Sequence, residues 1–247
     1  MKLEKWYFSN LACRSDKVDA QELVAAIQGF PPGVLTRFPV AVENTDLPDS
    51  IESLCQLMQE DGFRQWDYSK IKDNGLPLKM MASNWTKLKM LQHLIDRDIG
   101  GVLTTDNAYP IVPFAKIEAA INGCPADMKA LYLHWVAEPH EPEFQDDHYE
   151  VLAKMEPAAD DILGNFSGVG WIIYFTPEGA ADFLSMWRQH PDVDGQGVLL
   201  RAFHAGMNPT GYYACNPHLA LSIFDLPRIH KNVGVIRFEN QLSKKDK

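Results

Sequence analysis

The stretch from Gly100 to Pro110, GGVLTTDNAYP, constrains the fold more than any other part of the chain. Gly101 to Thr104 is a short apolar run of the kind that forms a buried strand. It ends in the polar turn Thr105-Asp106-Asn107-Ala108, and Pro110 lacks the N–H that a strand ladder needs. In an open α/β sheet, ligands bind outside the carboxyl ends of strands, so Asp106 is a candidate ligand-binding residue. Asp and Asn are also common turn formers, and this local pattern leaves both interpretations open.

Predicted strands and helices alternate along most of the chain. This order favours one α/β domain over residues 1–232, with a mixed, mainly parallel sheet flanked by helices, followed by a C-terminal strand and polar tail over 233–247. Residues 138–161 are acidic and lack periodicity, so a long loop or lid is expected there. Strands are predicted at 6–11, 37–42, 101–104, 130–136 and 169–175, and helices at 16–28, 48–61, 84–97, 113–123, 177–189 and 196–204.

The composition excludes several classes of protein. With 247 residues, 46% of them hydrophobic and 23% charged, the chain is suited to a folded domain with a substantial core. It has no apolar run of the roughly 18 residues that a membrane-spanning helix needs, so no membrane span is expected. The net charge of −10 argues against a broad basic surface for duplex DNA.

The cysteines and the N-terminus predict the cellular location. Cys13, Cys55, Cys124 and Cys215 lie far apart with no CxxC pair, which indicates reduced thiols rather than a disulfide framework or a zinc ribbon. The apolar stretch within residues 1–8 is too short and too interrupted by charge for a signal peptide. A cytoplasmic protein is therefore expected.

Three blocks of sequence carry a family resemblance through their order and spacing. In chain order they are WYFSNLACRSDK at 6–17 with RFPVAV at 37–42, SNW at 83–85 with TDNA at 105–108, and GVGWIIYFTPEGA at 168–180 with VD at 193–194. Together they resemble glycosyltransferase family 25, the group of lipooligosaccharide galactosyltransferases and collagen galactosyltransferase relatives. The resemblance implies a GT-A-type, Rossmann-like fold and a nucleotide-sugar glycosyltransferase that inverts the anomeric centre.

Such a reaction needs a carboxylate as general base on the acceptor hydroxyl. Asp194 is the first choice, which the matching family position supports, and Asp160 and Asp161 at the end of the acidic loop are the second choices. Asp194 also has a structural alternative, since it stands where a helix cap is expected.

The resemblance also implies a donor site and a metal site. Arg14 is available for phosphate or base contact, and Ser83 and Asn84 at a predicted helix N-terminus would meet phosphate through backbone N–H groups. The donor is expected to be UDP-linked, with Mn²⁺ or Mg²⁺ held by Asp106, Asn107 and His218. The implied donor-binding residues are Asn10, Leu11, Arg14, Ser83, Asn84, Thr105 and Asp106.

The chain departs from the family pattern at the acidic turn. Thr105-Asp106-Asn107-Ala108 replaces the family's Glu-Asp-Asp-Ala, Asn84 stands where His is usual, and Lys17 replaces an Arg. Hard cations prefer carboxylate oxygens, so the loss of two charges predicts weaker metal binding, recruitment of another residue as a ligand, or no metal binding.

Several alternatives stay open at this stage. The acceptor hydroxyl could belong to a glycan, a protein side chain or a hydroxymethylated nucleobase. A catalytically silent binding or scaffold protein with the same shell is the main alternative, favoured by the altered turn. A Rossmann-like nucleotide-binding protein of another function is a third, although GxGxxG does not follow the first strand.

Overall fold

The chain forms an eight-stranded sheet with helices on both of its faces, within the residues that the structure describes. This computed structural model describes residues 3–9, 18–72, 76–105, 108–136 and 155–222. The strands are β1 (Lys5–Ser9), β2 (Leu35–Arg37), β3 (Gly101–Thr105), β4 (Ala108–Pro110), β5 (Ala130–Val136), β6 (Glu156–Ala159), β7 (Ile162–Gly164), β8 (Val169–Phe175), β9 (Tyr212–Cys215) and β10 (Ala220–Ser222). The helices are α1 (Val18–Ile27), α2 (Ile51–Glu60), α3 (Tyr68–Ile71), α4 (Leu78–Arg97), α5 (Phe114–Gly123), α6 (Pro177–Gln189) and α7 (Val198–His204), with 3₁₀ turns at Asn44–Asp46 and Gly195–Gly197.

The order of strands in the large sheet is β2-β1-β3-β8-β5-β9-β7-β6. β2, β1 and β3 are parallel, and so are β5 and β9, whereas β8 runs antiparallel to both of its neighbours. The predicted α/β class with a mixed sheet is confirmed. Among the described strands, parallel pairing is confined to these two groups, because β8 enters the sheet in reverse and β6 and β7 add a hairpin. β4 and β10 pair separately.

The strand order reverses at β1. The chain leaves β1 through α1 to reach β2 on one side, and later returns through α4 to β3 on the other side. In open α/β sheets, such a reversal opens a crevice outside the carboxyl ends of the two central strands. From this topology we expect a ligand-binding crevice beyond the ends of β1 and β3.

The two faces of the sheet have separate hydrophobic cores, because side chains alternate along each strand. Val102 and Ile172 belong to one core, and the adjacent Leu103 and Ile173 belong to the other. The first core is covered by α5 and the second by α2, α4, α6 and α7. We call these surfaces the α5 face and the α4 face. The α4 face is the larger, and it carries the polar side chains described below.

Several predicted elements are confirmed at residue resolution. β5 and β8 have the predicted bounds, and α6 begins after Thr176, whose Oγ1 accepts a 3.0 Å hydrogen bond from the Gly179 N–H. Among the described helices, none is long and apolar enough to cross a bilayer.

Other predicted boundaries are wrong. The second strand ends at Arg37 instead of beginning there, consistent with the proline at position 39. α4 begins at Leu78 rather than Asn84. Leu78 to Ala82 are good helix formers, so the helix includes them and starts directly after Pro77. Part of the predicted loop at 138–161 is the β6–β7 hairpin, while residues 137–154 and the predicted tail at 233–247 lie outside the described residues.

Gly179 allows α6 to approach the backbone of Lys129, just before β5. A Cβ at Gly179 would lie 1.8 Å from the Lys129 carbonyl oxygen, which is backbone and cannot rotate away. Gly179→Ala should therefore lower the free energy of unfolding by about 1–3 kcal/mol, as overpacking does. Urea denaturation measures this. Gly197→Ala is the matched control, because a Cβ there meets nothing within 4 Å, and its expected change is below about 0.5 kcal/mol.

His93 on α4 predicts a pH dependence of stability. Its Nε2 is 3.0 Å from the Tyr7 hydroxyl, and burial, followed by the charge of Arg97, lowers the pKa of His93 from its ordinary 6.5. Because the unfolded chain then binds the proton more readily, this contribution to stability is full above pH 6.5 and is lost as the pH falls through the folded pKa. The unfolding free energy of wild type minus that of His93→Gln should decrease from pH 7.5 to 5.5. A difference independent of pH would contradict this.

Candidate functional site

The crevice is bounded by the carboxyl ends of β1 and β3. Ser9 pairs with Thr105 in the sheet register, so the two strands end side by side. Ser9 is 1% exposed, and its Oγ has no hydrogen-bond partner among the described residues. Thr104 is also buried, and its Oγ1 donates to the Tyr7 carbonyl over 3.4 Å. The described ends of β1 and β3 therefore each carry a small, buried hydroxyl side chain.

An ion pair lies on the α4 face of this edge. The Nζ of Lys87 is 3.1 Å from Oδ1 of Asp194, and both side chains are mostly buried, at 16% and 15% exposure. Oδ2 of Asp194 accepts a hydrogen bond from Nε2 of Gln196. Both carboxylate oxygens are thus engaged by described residues, and the pair is locally neutral.

A buried amide holds the two halves of this site together. Asn84 is fully buried, and its Oδ1 accepts a 3.3 Å hydrogen bond from the backbone N–H of Gly195. Its Nδ2 has no hydrogen-bond partner among the described residues. Asn84 lies three residues before Lys87, hence on the same side of α4. The helix therefore contacts the Asp194 segment through two consecutive turns.

A cavity of about 40 Å³ lies directly beside the ion pair. This volume exceeds what one water molecule needs. Its polar and small lining residues come from α4, β3, β8 and the 3₁₀ turn, and the rest of its lining is apolar. The polar and small residues of its lining are Lys87, Thr104, Gly170, Gly195 and Gln196, and the apolar ones are Met90, Leu91, Leu103, Ile173, Phe175, Phe183 and Trp187.

The structure brings together two of the residues predicted from sequence. Asn84 accepts a hydrogen bond from Gly195, the residue after Asp194, and Asp194 precedes the 3₁₀ turn without capping it through its side chain. Thr105 lies in β3 at the crevice. Asn10, Leu11, Arg14, Asp106 and Asn107 lie outside the described residues.

The predicted phosphate contact at Ser83 and Asn84 through a helix N-terminus is wrong. Because α4 begins at Leu78, the backbone N–H groups of both residues lie in its interior, where each N–H faces the carbonyl four residues earlier. A contact from either residue to a ligand would have to use the side chain.

Asp160 and Asp161 lie away from the cavity. They form the exposed turn between β6 and β7, where Asp161 has a φ of 58° and its carbonyl accepts a 2.8 Å hydrogen bond from Asn216. Three strand spacings, about 14 Å, separate β7 from β8 at the cavity. The hairpin turn accounts for both residues, and the structure does not bring Asp161 to Asp194.

His218 belongs to an aromatic cluster at the carboxyl ends of β5 and β9. Its ring centroid is 4.9 Å from that of His134 and 5.3 Å from that of Trp135, whose Nε1 donates to the Cys215 carbonyl over 2.8 Å. Within the described part of the chain, no three His, Cys, Asp or Glu side chains are grouped so as to hold a metal ion. The metal site predicted with Asp106 and Asn107 therefore stays a prediction.

Sequence reasoning missed Ser9, Lys87 and Gln196. The spacing of Lys87 from Asn84 was a usable signal, since positions i and i+3 share a helix face. No comparable signal pointed to Ser9 or Gln196, because their importance depends on which strand and which loop lie next to them.

Neither a protein-family model nor a curated protein matches the chain. Among solved structures, the chain is similar to the crystal structure of mouse xyloside xylosyltransferase 1 in its apo form. The two share 6% sequence identity with a TM-score of 0.39, over 81% of this chain and 68% of that chain. Similarity at this TM-score carries no functional argument, and the residues of the site must supply it.

The Asn84 contact predicts a difference between neighbouring alanine substitutions. Asn84→Ala leaves the buried Gly195 N–H unsatisfied and should lower the unfolding free energy by about 1–3 kcal/mol. Ser83→Ala, in the helix interior, should change it by less than about 0.5 kcal/mol. Thermal and urea unfolding measure both. A loss of about 1 kcal/mol in Ser83→Ala would instead indicate a helix cap.

Proposed function

We propose that this protein is a glycosyltransferase that moves a sugar from a nucleotide-sugar donor to an acceptor hydroxyl with inversion. One observation carries the proposal: sequence blocks far apart in the chain meet at one edge of the sheet. The block containing β1 ends at Ser9, the block containing the polar turn begins at Thr105, and these two residues are register partners. The third block ends at Asp194, which contacts α4. The topological crevice lies where these ends meet.

The geometry supports the following roles in the reaction. The donor's diphosphate would lie in the crevice beyond β1 and β3, and the acceptor hydroxyl would face Asp194. The acceptor oxygen forms a bond to the anomeric carbon while the bond from that carbon to the phosphate oxygen breaks. The nucleoside diphosphate leaves with the electron pair, and the hydroxyl proton passes to Asp194 as general base.

The finer assignments are also part of the proposal. We infer a UDP-linked donor, an acceptor hydroxyl on a glycan, a protein side chain or a modified nucleobase, and a cytoplasmic location. The described residues do not make up the set that Mn²⁺ or Mg²⁺ would need, so no step is assigned to a metal ion. Asn10, Leu11, Arg14, Thr105 and Asp106 remain proposed donor contacts.

Donor binding is tested first, by thermal-shift measurements with UDP, GDP, CDP and UDP-sugars, each with and without Mn²⁺. A ligand that binds only the folded state raises the melting temperature by mass action. A shift with a nucleoside diphosphate or nucleotide sugar supports the enzyme. The absence of any shift would overturn the proposal and leave the silent scaffold protein as the better description.

The role of Asp194 is tested by Asp194→Asn. Loss of a general base should reduce transfer by about 10²- to 10⁴-fold while donor binding is retained. Asp192→Asn is the matched control, because Asp192 lies in the same loop but pairs with Arg201 at 3.8 Å, away from Lys87. Full turnover in Asp194→Asn, measured by release of nucleoside diphosphate in the presence of acceptor, would exclude Asp194 as the base.

A further inference from the structure

We propose that Lys87 is a diphosphate-binding residue that leaves Asp194 when the donor binds and thereby frees the base. This inference rests on the proposed function and adds a residue and a sequence of events to it. The ion pair with Asp194 then represents the donor-free state of the site, and the pair opens only when a stronger anion is present.

The position of Lys87 along α4 places it at the mouth of the crevice. Leu94 of α4 lies against Gly101 at the start of β3, since a Cβ on Gly101 would be 3.0 Å from the Leu94 side chain. Lys87 is seven residues before Leu94, or about 10 Å along the helix axis. Thr104 is three residues after Gly101, or about 10 Å along the strand. Lys87 is thus level with Thr104, and both line the cavity.

The direction of the Lys87 side chain brings its ammonium group closer to the end of β3. Long side chains in a helix point back toward its N-terminus. A short connection joins the end of α4 to the start of β3, and the helix runs antiparallel to the strand. The N-terminal direction of α4 is therefore the carboxyl direction of β3. The ammonium group of Lys87 is therefore carried toward the strand end where the polar turn begins.

The charges favour the exchange of partners in which Lys87 leaves Asp194 and binds the diphosphate. Asp194 presents one negative charge, whereas the diphosphate of a nucleotide sugar carries two. An ammonium ion that is mostly removed from water gains more from the larger charge and can form charge-assisted hydrogen bonds to phosphate oxygens. After the exchange, Asp194 keeps its hydrogen bond from Gln196, and Oδ1 is open to accept a proton.

The exchange couples the two halves of the reaction. With no donor present, the base is neutralised by Lys87 and cannot activate a hydroxyl. With a donor present, the same ammonium stabilises the negative charge that develops on the leaving diphosphate. Asn84 holds the Asp194 segment against α4 through the Gly195 N–H, so Asp194 stays in position when Lys87 leaves it.

The experiment compares Lys87→Met, Lys87→Arg and Asp194→Asn in the full chain. Binding of UDP, GDP and CDP, of their monophosphates and of inorganic pyrophosphate is measured by titration calorimetry. Lys87→Met should weaken diphosphate binding by about 10- to 100-fold, the range of one charge-assisted hydrogen bond, while monophosphates change by less than about threefold. Lys87→Arg should restore most of the affinity. Asp194→Asn should bind the diphosphate as tightly as wild type or more tightly, because Lys87 no longer has to leave a carboxylate.

Lys89→Met is the matched control. Lys89 lies on the same helix but pairs with Asp61 at 2.9 Å, and its side chain is 39% exposed. Equal diphosphate binding in wild type and Lys87→Met overturns the inference and leaves the proposed function intact. Wild type that binds none of the diphosphates overturns both. In turnover assays, Lys87→Met should raise KM for the donor as well as lower kcat. A change in melting temperature without either effect would indicate that the Lys87–Asp194 ion pair is purely structural.

Discussion

The parallel pairing of β1 with β3 is the constraint on which the site depends. The two strands are separated by about ninety residues of chain, yet their register sets Ser9 beside Thr105 at one edge of the sheet. Parallel neighbours require a crossover: one runs from β1 through α1 to β2, and a later one runs from β2 through α4 to β3 on the other side of β1. Such a reversal of strand order is where a ligand-binding crevice is expected in an open α/β sheet.

Helix α4 supplies the polar side chains Asn84 and Lys87 to the candidate site. Its apolar side, with Leu88, Leu91 and Leu94 in the core, is fully buried against the sheet and α6. That packing fixes the rotation of the helix, so Asn84 and Lys87 face the Asp194 segment rather than solvent. Burial of a charge is tolerated here because the ammonium and the carboxylate lie 3.1 Å apart. The polar contacts thus exist because the apolar contacts orient the helix.

The differences between the predicted and observed elements have local and non-local causes. The Thr176 cap and the strands β5 and β8 are predictable because each depends on short-range preferences: a hydroxyl before Pro177, and largely apolar runs of seven residues. The start of α4 was missed because Ser83 resembles a cap in sequence, whereas Met81 and Ala82 are buried in the core and continue the helix. Asp161 was considered for catalysis because it is acidic and ends an acidic segment, but a hairpin turn in the left-handed region explains it.

The sequence alone determined the longer helices and strands and their order, together with the polar residues that follow the central strand, because these follow from hydrophobic periodicity and turn chemistry within a few residues. The direction of β8 and the set of strands that neighbour each other were decided by the tertiary structure. So was the contact of Lys87 with Asp194, which are 107 residues apart. Such contacts depend on how helices pack on both faces of the sheet, and no local pattern records which distant side chains that packing will bring together.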